Sequence, residues 1–428
     1  MTFKKIEEES LGTITDTVDQ STFELAENSV QNVRERGEDA VREFATKWDG
    51  IGDQDSLLVT REDLEKACGR IEPTVLEILT RVKNRIETFA EAQKKTFADC
   101  ELQIEGGRAG HRWLPLKSAG CYCPGGRYPL PSSVLMTAAT ARIAGVENVW
   151  VASPNPSDVI LAAASVAGAD GVLRAGGAQA IAAFAFGLES GLPACEVIVG
   201  PGNRFVTAAK AVVSRFTRID SLAGPSELVV VASSDADPAR VAADLLAQAE
   251  HDPDARPILI TFEETFARSV VKQIVTQLET LPTAGVAKQA VSSGGYFVVD
   301  DILEAKRVCD QIAPEHLSIQ GKSIESRAMD FDSGAALFVG TKTAEVFGDY
   351  GAGPNHVLPT GGAARSSSAL SVLSFMRFQT TLEITETSNA IKMIDDATVL
   401  ARIEGLEAHA RSSDLRRQPS LTDRSDTN

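Results

Sequence analysis

Residues 223–255, AGPSELVVVASSDADPARVAADLLAQAEHDPDA, constrain the fold more than any other stretch of this chain. Residues 227–232 form a Val-rich apolar run of strand length. Asp237-Pro238 then joins a helix N-cap residue to a first-turn proline, and a helical pattern continues through Glu250. A second apolar run, 257–261, follows at once. Strand, crossover helix and strand make a βαβ unit, which commits the chain to a parallel sheet. Gln248 and His251 stand three residues apart at the end of the helix and share one of its faces.

The rest of the chain bounds what that unit can belong to. A length of 428 residues exceeds what one core usually supports, so more than one domain is expected. The formal charge of -17 offers no basic excess to neutralise phosphates and argues against a nucleic-acid surface. No run approaches membrane-spanning length, and MTFKKIEEES has no apolar segment of signal-peptide type. A soluble, cytoplasmic protein without a membrane partner is therefore expected. Cys68, Cys100, Cys121, Cys123, Cys195 and Cys309 are scattered, which favours reduced thiols over a disulfide framework or a thiolate zinc site. His111, His251, His316, His356 and His409 are the only histidines, so imidazole chemistry has few residues to draw on.

Taken in order, residues 1–60 read as helical, with Gly50 as a stop. A second helix starts near Thr60, and a third spans about 72–96, with Leu76, Leu79, Val82, Ile86 and Phe89 spaced for one apolar face. From Gly107 the character changes. Short apolar runs at 149–152, 172–174 and 197–199 alternate with alanine-rich helical segments, which predicts a parallel α/β domain over about 122–225. Glycine turns at 124–127 (PGGR), 176–179 (GGAQ) and 200–203 (GPGN) put backbone N–H groups near helix starts, as a phosphate site requires. No GxGxxG fingerprint accompanies them, and glycine turns are common in any α/β protein. A second α/β region follows, with strands at 296–299 and 335–339 and a helix at 302–310. Beyond about residue 370 two further helices are predicted, and the polar end, 418–428, is expected to be disordered.

Few residues can carry chemistry. Glu315 and His316 are adjacent after Pro314, and an imidazole titrating near pH 6.5 can take and return a proton. A surface turn is the plainer reading of the same residues. Asp349 lies in the glycine-rich loop 348–356, which can shape a site or merely link elements. His409 falls on a helix, where a solvated residue is equally expected. Gln248, His251, Asp349 and His409 would together suit zinc, but spacing alone does not assemble residues so far apart.

Eight ordered motifs resemble the histidinol dehydrogenase family over about residues 25–415. They are PGGRYPLPSSVLM, GGAQAIAA, GPGNRFVTAAK, AGPSELVVVA, LLAQAEHDPDA, IAPEHLSI, GDYGAGPNHVLPT and EGLEAHA. The resemblance implies two incomplete Rossmann-like parallel-sheet domains with small helical N- and C-terminal extensions, in an intertwined homodimer. The implied division is an extension at 1–15, a first α/β domain from 16–121 and 226–371, a second on the NAD side at 122–225, and a C-terminal helical domain at 372–428 reaching the partner subunit. It implies Gln248, His251, Asp349 and His409 as ligands of one zinc per subunit. Glu315 and His316 become the acid/base pair. Ser226, His356 and Glu404 join His316 and the four ligands at the substrate, and Tyr122, Gln179 and Asn203 lie at NAD. The implied reaction oxidises L-histidinol to L-histidine through the aldehyde, with two NAD and one water. A relative acting on another polar alcohol, such as sulfopropanediol, is the alternative within the family. Glu404, placed to meet a cationic amine, favours histidinol over an anionic substrate. A non-catalytic metal-binding scaffold is the alternative outside it, disfavoured because every expected ligand and acid/base position is filled.

Overall fold

A computed structural model describes residues 3–6, 18–52, 54–125 and 129–417. Most of the expected N-terminal extension, the Gly126-Arg127 part of the first glycine turn and the end 418–428 lie outside the described residues. The chain forms two compact units, Met1–Lys94 with Leu116–Phe375, and Lys95–Pro115 with Met376–Asn428.

The strands, in chain order, are β1 (Lys4–Lys5), β2 (Leu58–Thr60), β3 (Cys100–Ile104), β4 (Gly107–Pro115) and β5 (Ser118–Tyr122). They continue as β6 (Asn148–Ala152), β7 (Gly171–Leu173), β8 (Val197–Val199), β9 (Arg218–Ile219) and β10 (Glu227–Ala232). The last five are β11 (Arg256–Thr261), β12 (Gly295–Val298), β13 (His316–Gln320), β14 (Ala336–Val339) and β15 (Met376–Ile384).

The larger unit holds two sheets. The downstream one runs β1-β12-β11-β10-β13-β14, and all of its pairs are parallel. The upstream one runs β2-β7-β6-β5-β8-β9, parallel except for β2, which lies antiparallel to β7 at the edge. Ignoring the added edge strands, each sheet has the order third, second, first, fourth, fifth. That order leaves a topological switch point between β10 and β13 and another between β5 and β8.

The Val-rich run is buried along its whole length because both faces of its sheet are covered. Leu228, Val230 and Ala232 pack with the helices Pro238–Ala249 and Glu264–Leu278, whereas Val229 and Val231 pack towards the helix Ile302–Ile312. Asp237 caps the crossover helix as expected, its Oδ1 accepting the Ala239 N–H at 2.9 Å.

Strand pairing differs from the domain division drawn on the sequence. β2 and β5, expected in one domain with 226–371, pair into the sheet formed by 122–225, because β5 sits parallel between β6 and β8. Lys4 and Lys5 add an edge strand beside β12 instead of standing apart as an extension. In the smaller unit, β3 and β4 form a hairpin that pairs with β15. The C-terminal segment is thus not wholly helical. Its first part is a strand, followed by the helices Ile391–Ile403 and Glu407–Asp414, which Gly405 separates with φ +77°. Among the described residues no helix is long and apolar enough to cross a membrane.

Candidate active site

A parallel crossover carries the chain back from the C-terminal end of one strand to the N-terminal end of the next. The helix Pro238–Ala249 therefore delivers Gln248 and His251 to the edge where β10 and β13 begin with Glu227 and His316. These two strands run in register, Leu228 beside His316. The short helix Val346–Asp349, following β14, brings Glu345 and Asp349 to the same edge. The downstream sheet thus places its reactive groups at the starts of its strands.

His316 is buried, and its Nδ1 lies 3.2 Å from the Glu227 carbonyl. A carbonyl only accepts, so Nδ1 carries the hydrogen and Nε2 keeps its lone pair. Burial pulls this imidazole down to about 4, which leaves it neutral at physiological pH despite the charge of Asp349. Glu315, also buried, accepts the Glu227 N–H at 3.0 Å, and burial pushes its carboxyl up to about 8. A buried base and a buried acid, adjacent in sequence, have been driven in opposite directions by the same low-dielectric surroundings.

His251 Nε2 stands 3.4 Å from Asp349 Oδ2, and that hydrogen bond raises the imidazole to about 9. Burial opposes ionisation of Asp349, but the hydrogen bond from His251 and the neighbouring imidazoles hold it below the usual carboxylate range. His356 gives both ring nitrogens to the chain, Nδ1 to the Asp349 carbonyl at 3.0 Å and Nε2 to Ser133 Oγ at 3.3 Å. Gln248 is buried, and neither atom of its amide has a hydrogen-bond partner. A buried amide left unpaired is costly, and its oxygen, with an imidazole and a carboxylate, makes a nitrogen–oxygen donor set of the kind zinc accepts. His316, Glu345 and Asp349 also converge, each offering a ligand atom within 4.8 Å of the others. The residues present fit a divalent cation.

The upstream sheet contributes its strand ends instead. Tyr122 closes β5 and takes the Gly177 N–H on its hydroxyl at 3.2 Å. Gln179, buried in the first turn after β7, donates its amide to Asp49 Oδ2 at 3.2 Å, and Asp49 also takes the Gly176 N–H at 2.9 Å. Asn203 caps the helix Arg204–Val213 after β8. Gly200 has φ +116°, and a Cβ there would fall 2.1 Å from the Tyr122 carbonyl, so only glycine lets this turn press against β5. The buried Lys210–Asp220 ion pair, 2.6 Å, ties the same turn down, Lys210 donating to the Gly200 carbonyl and Asp220 accepting its N–H. A cleft joins Gly200 and Gly202 to Ser226, Glu315, His356 and Thr360. It links the C-terminal switch point of one sheet to the N-terminal edge of the other.

Of the residues singled out from sequence, Gln248, His251, Glu315, His316, Asp349, His356 and Ser226 are gathered in this region of the larger unit. Tyr122, Gln179 and Asn203 follow the strand ends of its upstream sheet. Glu404 and His409 belong to the smaller unit, where both are exposed. His316 begins a strand, so the plainer reading as a surface turn does not hold. Sequence reasoning missed Glu227, Glu345 and Asp49. Glu345 precedes Asp349 by four residues, one helical turn, and that spacing was the available signal. Asp49 had none, being joined to Gln179 only by folding.

A neutral buried base, a buried acid and a cation-fitting donor set beside a nucleotide-type switch point define an α/β enzyme with acid–base chemistry. The model of the family described as histidinol dehydrogenase matches residues 15–417. A histidinol dehydrogenase of Pseudomonas savastanoi pv. phaseolicola is 40% identical over 408 residues, 94% of this chain and 90% of that protein. One from Parasynechococcus marenigrum is 43% identical over 394 residues, 89% of this chain and 87% of the relative. The crystal structure of histidinol dehydrogenase from Elizabethkingia anophelis superposes with a TM-score of 0.87 at 30% identity, covering 97% of this chain and 94% of that one. The chain belongs to the histidinol dehydrogenase family and is an oxidoreductase of histidine biosynthesis.

Proposed function

We propose that the chain catalyses the NAD-dependent four-electron oxidation of L-histidinol to L-histidine through L-histidinaldehyde. It does so in the cytoplasm, as a homodimer with shared active sites. The observation that carries this reading is the neutral buried His316, its Nδ1 committed to a carbonyl, beside the partnerless amide of Gln248 and the His251–Asp349 pair. Relatives with 40% and 43% identity bear the corresponding name.

Zinc, one per subunit, would be held by Gln248, His251, Asp349 and His409, and when bound it supplies a Lewis-acidic template for the nitrogens of the substrate. NAD supplies the hydride acceptor, with Tyr122, Gln179 and Asn203 at its site. That placement is supported by their position after β5, β7 and β8, where open α/β sheets take nucleotides and where the strand order of an incomplete Rossmann-like fold puts the crevice. His316 Nε2 takes the alcohol proton as the carbon gives up hydride. Glu315, raised by burial towards the working pH, takes a proton from the water that adds to the aldehyde, while His316 returns the alcohol proton to the carbonyl oxygen and is free again. His316 then deprotonates the hydrate for the second oxidation. Ser226 reaches the substrate from the cleft wall, and His356, with both nitrogens engaged, touches it while fixing Asp349. Glu404 and His409 come from the smaller unit, and a partner subunit supplying them accounts for their exposure here.

The test is stoichiometry. Purified protein should yield two NADH per histidine from histidinol, lose that activity on chelation and regain it with zinc. One NADH per substrate, or turnover only of a sulfonated diol, would replace this reading.

A further inference from the structure

Asp49 breaks two local rules. It caps the C-terminal end of the helix Glu38–Trp48, where the helix dipole disfavours an anion, and it is half-buried with no cation among its described partners. The compensation comes from 127 and 130 residues away in sequence. Its Oδ2 accepts both the Gly176 N–H at 2.9 Å and the Gln179 side-chain amide at 3.2 Å. A carboxylate only accepts, so this contact settles which way the amide points. Nε2 turns to Asp49, and Oε1 is left on the other side, 3.1 Å from where a Cβ on Gly177 would stand. Gly177 has φ +58° and, being glycine, leaves that oxygen uncovered. Among the described residues no donor reaches it. Tyr122 meets the same residue: its hydroxyl accepts the Gly177 N–H, and burial raises the phenol so that it keeps its own proton. An acceptor and a donor thus both border Gly177.

We infer that Asp49 is a positioning residue for the nicotinamide cofactor, acting through Gln179. It holds the amide with its oxygen outward, so that Gln179 accepts from and Tyr122 donates to a cofactor group that does both, as a carboxamide or a ribose diol does. The inference rests on the cofactor site of the proposed function. Asp49 itself touches no cofactor in this account. Without it the amide rotates, and in the reversed orientation it presents an NH2 where an acceptor is needed.

The experiment measures Kd for NADH from its fluorescence, without substrate, beside KM for NAD, kcat and zinc content, in Asp49→Ala, Gln179→Ala and the double variant. Asp49→Ala should raise both Kd for NADH and KM for NAD by roughly fivefold to fiftyfold, with kcat at saturating NAD and zinc content within about twofold of wild type. Gln179→Ala should do the same. Adding Asp49→Ala to it should cost no more than about a further twofold, because the carboxylate acts through the amide. Asp49→Asn keeps an accepting oxygen and should bring affinity back to within about threefold of wild type. Effects of the two alanines that multiply, an NADH affinity unchanged in Asp49→Ala, or an asparagine variant as weak as the alanine one would each overturn the inference. So would a lower melting temperature with cofactor affinity intact, which would leave Asp49 as a cap on the helix Gly177–Phe186. Should Asp49→Ala fail to fold, Asp49→Ser, whose hydroxyl is too short to reach Gln179, is read in the same way. If Gln179→Ala alone left NADH binding unchanged, the cofactor site would be misassigned and the inference would fall with it; a loss in Gln179→Ala without one in Asp49→Ala would sink the inference alone.

Discussion

The two parallel sheets of the larger unit share one strand order and use opposite ends of it. In the upstream sheet the C-terminal ends are kept open by glycine: Gly176-Gly177 after β7 and Gly200-Pro201-Gly202 after β8. In the downstream sheet the corresponding end carries surface hydrogen bonds among side chains. Ser233, at the end of β10, donates to Asp235 Oδ1 at 2.5 Å, and Ser323, just past β13, donates to the same oxygen at 2.9 Å. Its buried titratable groups lie instead where strands begin, at Glu227 and His316. A switch point is a crevice by topology, but side chains decide whether it remains one. Here the upstream sheet has glycine turns after its strands, and the downstream sheet has its buried titratable groups where its strands begin.

Several variants would break or sharpen that comparison. The largest effect is expected from His316→Gln, which should lower kcat by roughly two to four orders of magnitude while leaving zinc content intact. Steady-state kinetics with metal analysis checks both, and a near-normal rate would remove the base from the downstream edge. Next comes His409→Asn, expected to lose most of the metal from the purified protein. Unchanged zinc would show that Gln248, His251 and Asp349 suffice without the smaller unit. On the upstream side, Lys210→Met strands Asp220 as a buried unpaired carboxylate and should cost about 3–5 kcal/mol of stability. It should raise KM for NAD and spare zinc binding, as followed by chemical denaturation and by kinetics. If the variant lost zinc and kept its NAD affinity, the division of labour between the sheets would be reversed.

The smallest effect concerns the thiols. Burial pushes Cys121 and Cys123 up to about 12, and Cys195 and Cys309 are raised for the same reason. They stay neutral in the fold but ionise near pH 8.5 once unfolded. The folded form therefore holds these protons more tightly, so their contribution is complete below about pH 8.5 and is lost as pH rises above it. Melting temperature should fall gently from pH 8 to 10, and in the native protein a thiol reagent should reach exposed Cys100 ahead of these four.

Much of this was legible before folding because burial writes itself into composition. β10 and β11 are covered on both faces and read as unbroken apolar runs. β15 was illegible for the converse reason: nearly all of MRFQTTLEI is exposed, so no alternation marks a buried face. β13 was hidden because its first residue, His316, is polar yet buried, and it was read with the preceding turn. The candidate ligands could be named only by resemblance. Gln248 and His251 share a helix face, but Asp349 reaches them through four intervening strands, and no spacing rule spans that distance. Glu345 escaped because a lone glutamate before an apolar pair looks like a solvated helix residue until its burial is known.

Anomalous diffraction at the zinc edge, on protein crystallised with its metal, bears most directly on this arrangement. One peak is expected at the start of β10 and β13, about 2.0–2.2 Å from His251 Nε2 and from an Asp349 oxygen, with the Gln248 amide oxygen and His409 of the partner subunit completing it. A peak bound elsewhere, or an ion at His316 and Glu345 with Gln248 still unpaired, would contradict the account.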